Sequence, residues 1–383
     1  MTYGLYLHFP FCRQKCDYCN FLSYPLKNPP RDLNFNQSEL IKAYLDRLKT
    51  DLDKLFTKIK PTEIDTIYFG GGTPSLLKPK QLELILNLLK GYKPIEISIE
   101  INPEDVSKKK LTEFKSLGIN RFILGVQTLD KKEHQTLGRA SILSTPKILE
   151  TFFGVPEVTK AIDLITGLPK QKIKNYLKNL EIISSYQPDH FSVYLLSLEK
   201  ETPLEKREKI TPELENLQIL SLKETIKNLT QKGYDHYEIS NFAKPGCQSK
   251  HNLKYWEFKP YIGLGIGAHS FYQEKRYSNQ MSLGDYLNNS KTVYIQDPRN
   301  DQKILVEYFM TGLRLLKGVS LEKMSPRLNL KIPSEIFFKI ETLVKEKKLL
   351  KQREGTETFI KLNPKKIEVA NAIIYELVES LLE

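Results

Sequence analysis

Residues 4–19 read GLYLHFPFCRQKCDYC. Leu5, Leu7 and Phe9 alternate with Tyr6 and His8, as in a β-strand, and Pro10 ends the run just before Cys12. The strand opens into a loop that carries Cys12-x3-Cys16-x2-Cys19. Four cysteines in 383 residues, three of them this close together, are not a disulfide framework; they point to metal or to catalysis. Zinc sites usually gather four protein ligands as two spaced pairs, and no second pair lies nearby. Three thiolates suit an iron–sulfur cubane and leave one iron open to an exogenous amino and carboxylate chelate. A zinc ion completed by His8 or Cys247, or plain buried thiols, remains the alternative at this level.

Working outward, short β-rich runs alternate with helical patterns. TIYFG (66–70), EISIEI (96–101), RFILGV (121–126), TKAIDLIT (159–166) and FSVYLLSL (191–198) read as strands. Leu40, Ile41, Tyr44, Leu45, Leu48, Leu52 and Leu55 form an apolar stripe at helical spacing. Repeated βα units predict an α/β fold with a parallel sheet, wholly or partly closed into a barrel, with the chemistry at the strands' C-terminal ends. GGGTPS (70–75) follows one strand end and offers backbone N–H and C=O groups that no side chain obstructs. GLGIGA (263–268) imitates a dinucleotide fingerprint, but it lacks the strand–turn–helix setting and reads as a close-packed glycine loop.

Past the helix of residues 213–232 the texture changes. YEISNFAKPG (237–246), HNLKYW (251–256) and YIGLGIGAHSFY (261–272) look like structured loops. A helical tail with Leu305, Phe309, Leu313 and Leu316 on one face then leads to two strand-like runs about Gly355. The expected division is 1–235 barrel core, 236–295 aromatic and glycine-rich loop segment, and 296–383 small winged-helix-like α+β domain.

The net charge is +12, which suits an anionic partner. Much of the excess is lysine scattered over amphipathic faces, as at Lys108 to Lys110, and no basic block interleaves with aromatics, so no nucleic-acid partner is expected. The N-terminus lacks a signal-peptide pattern and the apolar runs are too short to span a bilayer, which sets a cytoplasmic expectation.

YLHFPFCRQKCDYCNF (6–21), GGGTPS, IEINPED (99–105), GINRFILGVQTLD (118–130), LGR (137–139), DLITGLPKQ (163–171) and YEISNFAKPG together resemble the radical S-adenosylmethionine superfamily. More narrowly they resemble its oxygen-independent coproporphyrinogen oxidase-like family. The resemblance implies a partial (β/α)6 barrel, and a [4Fe-4S] cluster on Cys12, Cys16 and Cys19. It further implies S-adenosylmethionine contacts from Tyr6, Tyr18, Gly71, Gly72, Thr73, Glu100, Gln127, Arg139 and Asp163.

The dehydrogenases of that family resemble C-x3-C-x2-C-x-C, whereas position 21 here is Phe21. The family's heme-chaperone branch lacks that cysteine and carries His-Asn-x-x-Tyr-Trp, matched by His251, Asn252, Tyr255 and Trp256. That branch implies heme on His251, Tyr255 and Trp256, with His251 on the iron and Cys247 a second ligand or an idle thiol. It also implies transfer to an apoprotein such as a membrane-associated respiratory enzyme, and no coproporphyrinogen dehydrogenase activity. Self-association and a peripheral place at the membrane are compatible with it.

Overall fold

The computed structural model describes residues 2–27, 35–60, 63–89, 91–139, 145–288 and 292–382. They form two compact units, each built from two stretches of chain. The first is Met1–Asn228 with Pro260–Gln296, and the second is Leu229–Lys259 with Asp297–Glu383. Residues 229–259 belong to the second unit and 260–296 to the first.

The first unit is organised around β1 (Tyr3–Phe9), β2 (Ile64–Gly71), β3 (Glu96–Ile101), β4 (Arg121–Gln127), β5 (Thr159–Thr166) and β6 (His190–Leu195). Each pairs in parallel with the next. The 20-residue helix Gln37–Phe56 is the first crossover, and it starts in a capping box between Asn36 and Glu39. β7 (Tyr261–Leu264) adds in parallel to the other edge of β1; β8 (His269–Tyr272) and β9 (Lys275–Ser278) then return antiparallel. YIGLGIGAHSFY is therefore two strands about a tight glycine turn, not a loop. Glycine is required there: Gly265 has φ +96°, and a Cβ on it would run into the Tyr44 hydroxyl.

Period-2 alternation separates the two faces of this sheet. Leu5, Leu7, Ile67, Phe69, Ile97, Ile99, Phe122, Leu124, Ile162, Leu164, Phe191 and Val193 are all buried on one face, as parallel sheets backed by helices require. The other face carries Tyr6, His8, Tyr68, Glu100, Asp163, Ser192 and Tyr194. Along β2 to β6, Tyr68 and Tyr194 are four strands apart, about 19 Å in a flat sheet. Ionisation of Tyr68 is opposed first by burial and then by Glu100, Asp163 and Tyr194, so the far strand comes closer than a flat sheet would bring it. The sheet is strongly curved, with the polar face on the inside of the curve, as in a partial (β/α)6 barrel.

The second unit begins with the antiparallel pair Asp235–Glu238 and Asn241–Ala243. HNLKYW lies on the helix Lys250–Trp256, a correction to the expected loop. Its aromatic content masks the helical pattern, but the Ser249 side chain accepts from the Asn252 amide and starts the helix. After helix Asp301–Gly312 come strand Val319–Ser320, helices Leu321–Leu328 and Ser334–Lys345, and the hairpin Leu349–Glu354 with Glu357–Leu362. The three strands form one antiparallel sheet, and this order of helices and strands is winged-helix-like. Buried Leu305, Phe309, Ile336, Ile340, Leu343, Ile373 and Leu377 contribute its apolar interior.

Candidate functional site

The cysteine loop leaves the C-terminal end of β1 and is tied down on several sides. Gly72 N–H donates to the Phe9 carbonyl at 2.7 Å and Thr73 N–H to the Phe11 carbonyl at 2.8 Å. This corrects one expectation: those two amides of the GGGT turn hold the entry to the cysteine loop and are not free for a ligand. Gly71 has φ +112°, and any Cβ there would press into the His8 ring. Arg13 donates to Asp105 at 2.6 Å, and the Asp17 carboxylate pairs with Arg207 at 2.5 Å. Cys19 N–H donates to the Cys16 carbonyl at 3.2 Å.

His8 links the loop to the barrel face. Its Nε2 is 2.9 Å from the Leu22 carbonyl, and Nδ1 is 3.0 Å from the Tyr6 hydroxyl. A carbonyl only accepts, so Nε2 carries the proton and Tyr6 donates to Nδ1. Burial lowers the pKa of His8 and favours this neutral form.

All three loop cysteines are free thiols of intermediate exposure. Burial raises their pKa values, that of Cys16 to about 11; neighbouring thiols add to the rise at Cys12 and Cys16, and Glu100 adds to it at Cys12 and Cys19. Among the described residues no three His, Cys, Asp or Glu side chains are gathered around one point where a single metal ion would sit. The donor set fits the cluster: soft sulfur ligands, three of them, on one short loop.

Beyond the loop, the barrel face gathers most of the other expected contacts. Tyr68 donates to Glu100 at 2.9 Å, and the Gly71 amide donates to the other carboxylate oxygen at 3.3 Å. Burial, then the charge of Asp163, raises the pKa of Glu100 to about 8. Burial likewise raises Asp163 to about 6. Asp163 Oδ1 is buried and has no hydrogen-bond partner within the protein, as expected of an acceptor that awaits a hydroxyl or ammonium group from a ligand. Arg139 donates to Asn102 at 2.9 Å, and Asn102 donates to Thr73 at 3.1 Å. Gln127 sits at the end of β4 where the register shifts, with φ +64°. Such backbone strain in a residue other than glycine is typical of functional sites.

Tyr18 is placed differently from the rest. Its ring packs on the buried cluster Leu137, Ile165, Leu168, Leu196 and Leu204, beside Arg139. Sequence reasoning missed Tyr68 and Asn102. Both stand in quoted motifs or strands, but only the fold shows that they orient Glu100, Thr73 and Arg139.

In the second unit His251 is wholly buried, and its Nε2 is 2.8 Å from the Tyr255 hydroxyl. Burial lowers its pKa to about 3, so the imidazole is neutral. Tyr255 and Trp256 are partly exposed. The Arg314 guanidinium lies 4.9 Å from the centre of the Trp256 ring, so one face of the indole is already covered. The Cys247 amide closes a turn onto the Lys244 carbonyl at 2.9 Å.

A curved parallel sheet with three free thiols on the loop after its first strand, and a polar inner face beside them, defines a protein built to hold a cluster and a small polar ligand together. The family model of the radical SAM superfamily matches residues 6–210. The heme chaperone HemW of Buchnera aphidicola subsp. Schizaphis graminum is 35% identical over 346 residues, covering 85% of this chain and 86% of that protein. The heme chaperone HemW of Escherichia coli is 32% identical, covering 82% and 83%. The solved structure of the Escherichia coli coproporphyrinogen III oxidase HemN, a radical SAM enzyme, superposes with a TM-score of 0.77 over 99% of this chain and 90% of that one, at 21% identity, and so shares the fold. The chain belongs to the radical SAM superfamily and, within it, to the family of these HemW proteins. Membership implies a [4Fe-4S] cluster and S-adenosylmethionine as cofactors.

Proposed function

We propose that this chain is a heme chaperone of the HemW type, which binds heme and passes it to an apoprotein. The observation that carries the reading is a pairing within one chain. Phe21, 61% exposed, stands where the dehydrogenases of the family have a further cysteine, and HNLKYW lies on a capped helix. Identities of 35% and 32%, over more than four-fifths of the chain, to proteins named heme chaperones support it.

Cys12, Cys16 and Cys19 would hold three irons of the cluster, and the fourth would take S-adenosylmethionine. Glu100, Asp163, Gln127, Arg139 and Tyr6 would surround that ligand, with Gly71, Gly72 and Thr73 forming its floor and Tyr18 bracing Arg139 from the apolar side. When both are bound, the pair supplies one-electron chemistry at the sulfonium. The protein's own part is to bind and orient, with Glu100 placed to hold a proton beside the ligand. Heme would meet the helix that carries His251, Tyr255 and Trp256. The acceptor would be a heme apoprotein, with membrane-associated respiratory enzymes the class in view. No helix among the described residues is long and apolar enough to cross a membrane.

The test offers the anaerobically reconstituted protein hemin in one arm and coproporphyrinogen III in the other. Stoichiometric hemin binding with a shifted Soret band, and delivery to an apoprotein, are expected. Multiple turnovers of decarboxylation with no heme binding would place the chain among the dehydrogenases instead.

A further inference from the structure

His251 and Tyr255 are four residues apart on the helix Lys250–Trp256, so their side chains meet one turn apart on the same face. The rings are edge to face, 5.3 Å between centres, with His251 Nε2 against the Tyr255 hydroxyl at 2.8 Å. The two members are not equally reachable: His251 is wholly buried, whereas Tyr255 is partly exposed. An iron held in a porphyrin can meet only a donor atom that projects clear of its surroundings, because the macrocycle is wide and flat. The Nε2 of His251 already faces the phenol oxygen. Tyr255 is the less buried of the two, with Trp256 set edge to face beside it at 6.4 Å. Phenolate oxygen is an established axial donor to heme iron.

We propose that the Tyr255 oxygen, and not the His251 nitrogen, is the protein ligand to ferric heme, and that His251 is the positioning residue that holds this oxygen through its hydrogen bond. The proposal deepens the heme-chaperone reading and rests on it. On binding, the phenolic O–H bond breaks, an iron–oxygen bond forms, the proton passes to water, and the water or chloride on the axial face of hemin departs. No electron moves. The neutral imidazole, protonated on Nε2, donates to the phenolate and holds its oxygen in place. Return of a proton to the oxygen reverses the step, which suits a carrier that must let go.

The full chain, anaerobically reconstituted, is titrated with hemin and read by absorbance, electron paramagnetic resonance and resonance Raman excited in the phenolate-to-iron band. A high-spin ferric signal with phenolate vibrations is expected. Tyr255→Phe keeps the ring but removes both signatures. His251→Ala keeps the phenolate vibrations and weakens binding about 10- to 100-fold, the scale found when an outer partner of a metal ligand is removed. His251→Gln, which still has an N–H to donate, recovers part of that loss. A low-spin imidazole spectrum that survives Tyr255→Phe and vanishes in His251→Ala overturns the proposal and leaves the chaperone reading standing. Heme spectra unchanged in both variants also overturn it, since the ligand then lies elsewhere. Should either variant fail to fold, the wild-type Raman spectrum decides alone. Wild type that binds no hemin removes the chaperone reading and this proposal together.

Discussion

Glu100 is held between a phenol, a backbone amide and a second carboxylate. Its folded pKa of about 8 lies above the ordinary carboxylate value, so the native state keeps a proton that the unfolded chain has released. Its contribution to stability is complete in acid and is lost as pH rises towards about 8. Glu100→Gln, measured before the cluster is loaded, should flatten the pH dependence of thermal unfolding and stabilise the protein by about 1–3 kcal/mol near neutral pH. The same variant should bind S-adenosylmethionine more weakly, which isothermal titration would register. At the cysteines, replacing Cys12, Cys16 or Cys19 by Ala should abolish the cluster, while Cys247→Ala should retain about four irons and four sulfides per chain. Iron and sulfide analysis checks this. Loss of iron in Cys247→Ala as complete as in the others would mean that no corner of the cluster is open.

At the level of single elements, two small features carry much of the site. Gly71 is the turn on which the cysteine loop closes, and Gly71→Ala would push its new methyl into the ring of His8. That ring fixes Leu22 and Tyr6. The variant should fold with native secondary structure by circular dichroism but retain markedly less iron after gel filtration. Ser249 caps the helix that bears His251, and Ser249→Ala should cost about 1 kcal/mol of stability and weaken hemin binding without changing the iron's spectrum. Strands β1 to β6 were legible in the sequence to within a few residues, because buried parallel strands must be rich in β-branched and aromatic residues and are bounded by glycine and proline, whereas the glycine-rich run that holds β7 and β8 read as a loop. The helix Lys250–Trp256 was not legible either. With seven residues it is too short to show a period, and its start depends on one serine hydroxyl. The cysteine loop stood out in the sequence by its spacing. Tyr68 and Asn102 did not, since a lone polar residue in a strand acquires a role only when neighbouring strands set it beside Glu100 or Arg139.

Across the whole molecule, both units are assembled from two separate stretches of chain. The helix that bears HNLKYW belongs to the same unit as the C-terminal residues 297–383, although it precedes the last strands of the barrel unit. A chain ending at Gln296 should therefore still load its cluster but lose hemin binding, even though His251, Tyr255 and Trp256 are all present. Limited proteolysis should find residues 229–259 newly cleavable in it, and undiminished hemin affinity would show that the motif acts without the rest of its unit. The discontinuity also has a meaning in time. β1 lies between β2 and β7, and β7 begins roughly 250 residues later in the chain. During synthesis at about 5–20 residues per second, the strand that leads into the three cysteines keeps one edge unpaired for roughly 13–50 seconds. Through that interval the thiols hang from an open sheet edge, the part of a nascent protein most prone to pair with the wrong strand. The ribosome finishes the iron-binding loop early and the wall that steadies it late, so the newborn chain passes through a stage in which its most oxidisable groups are also its least sheltered.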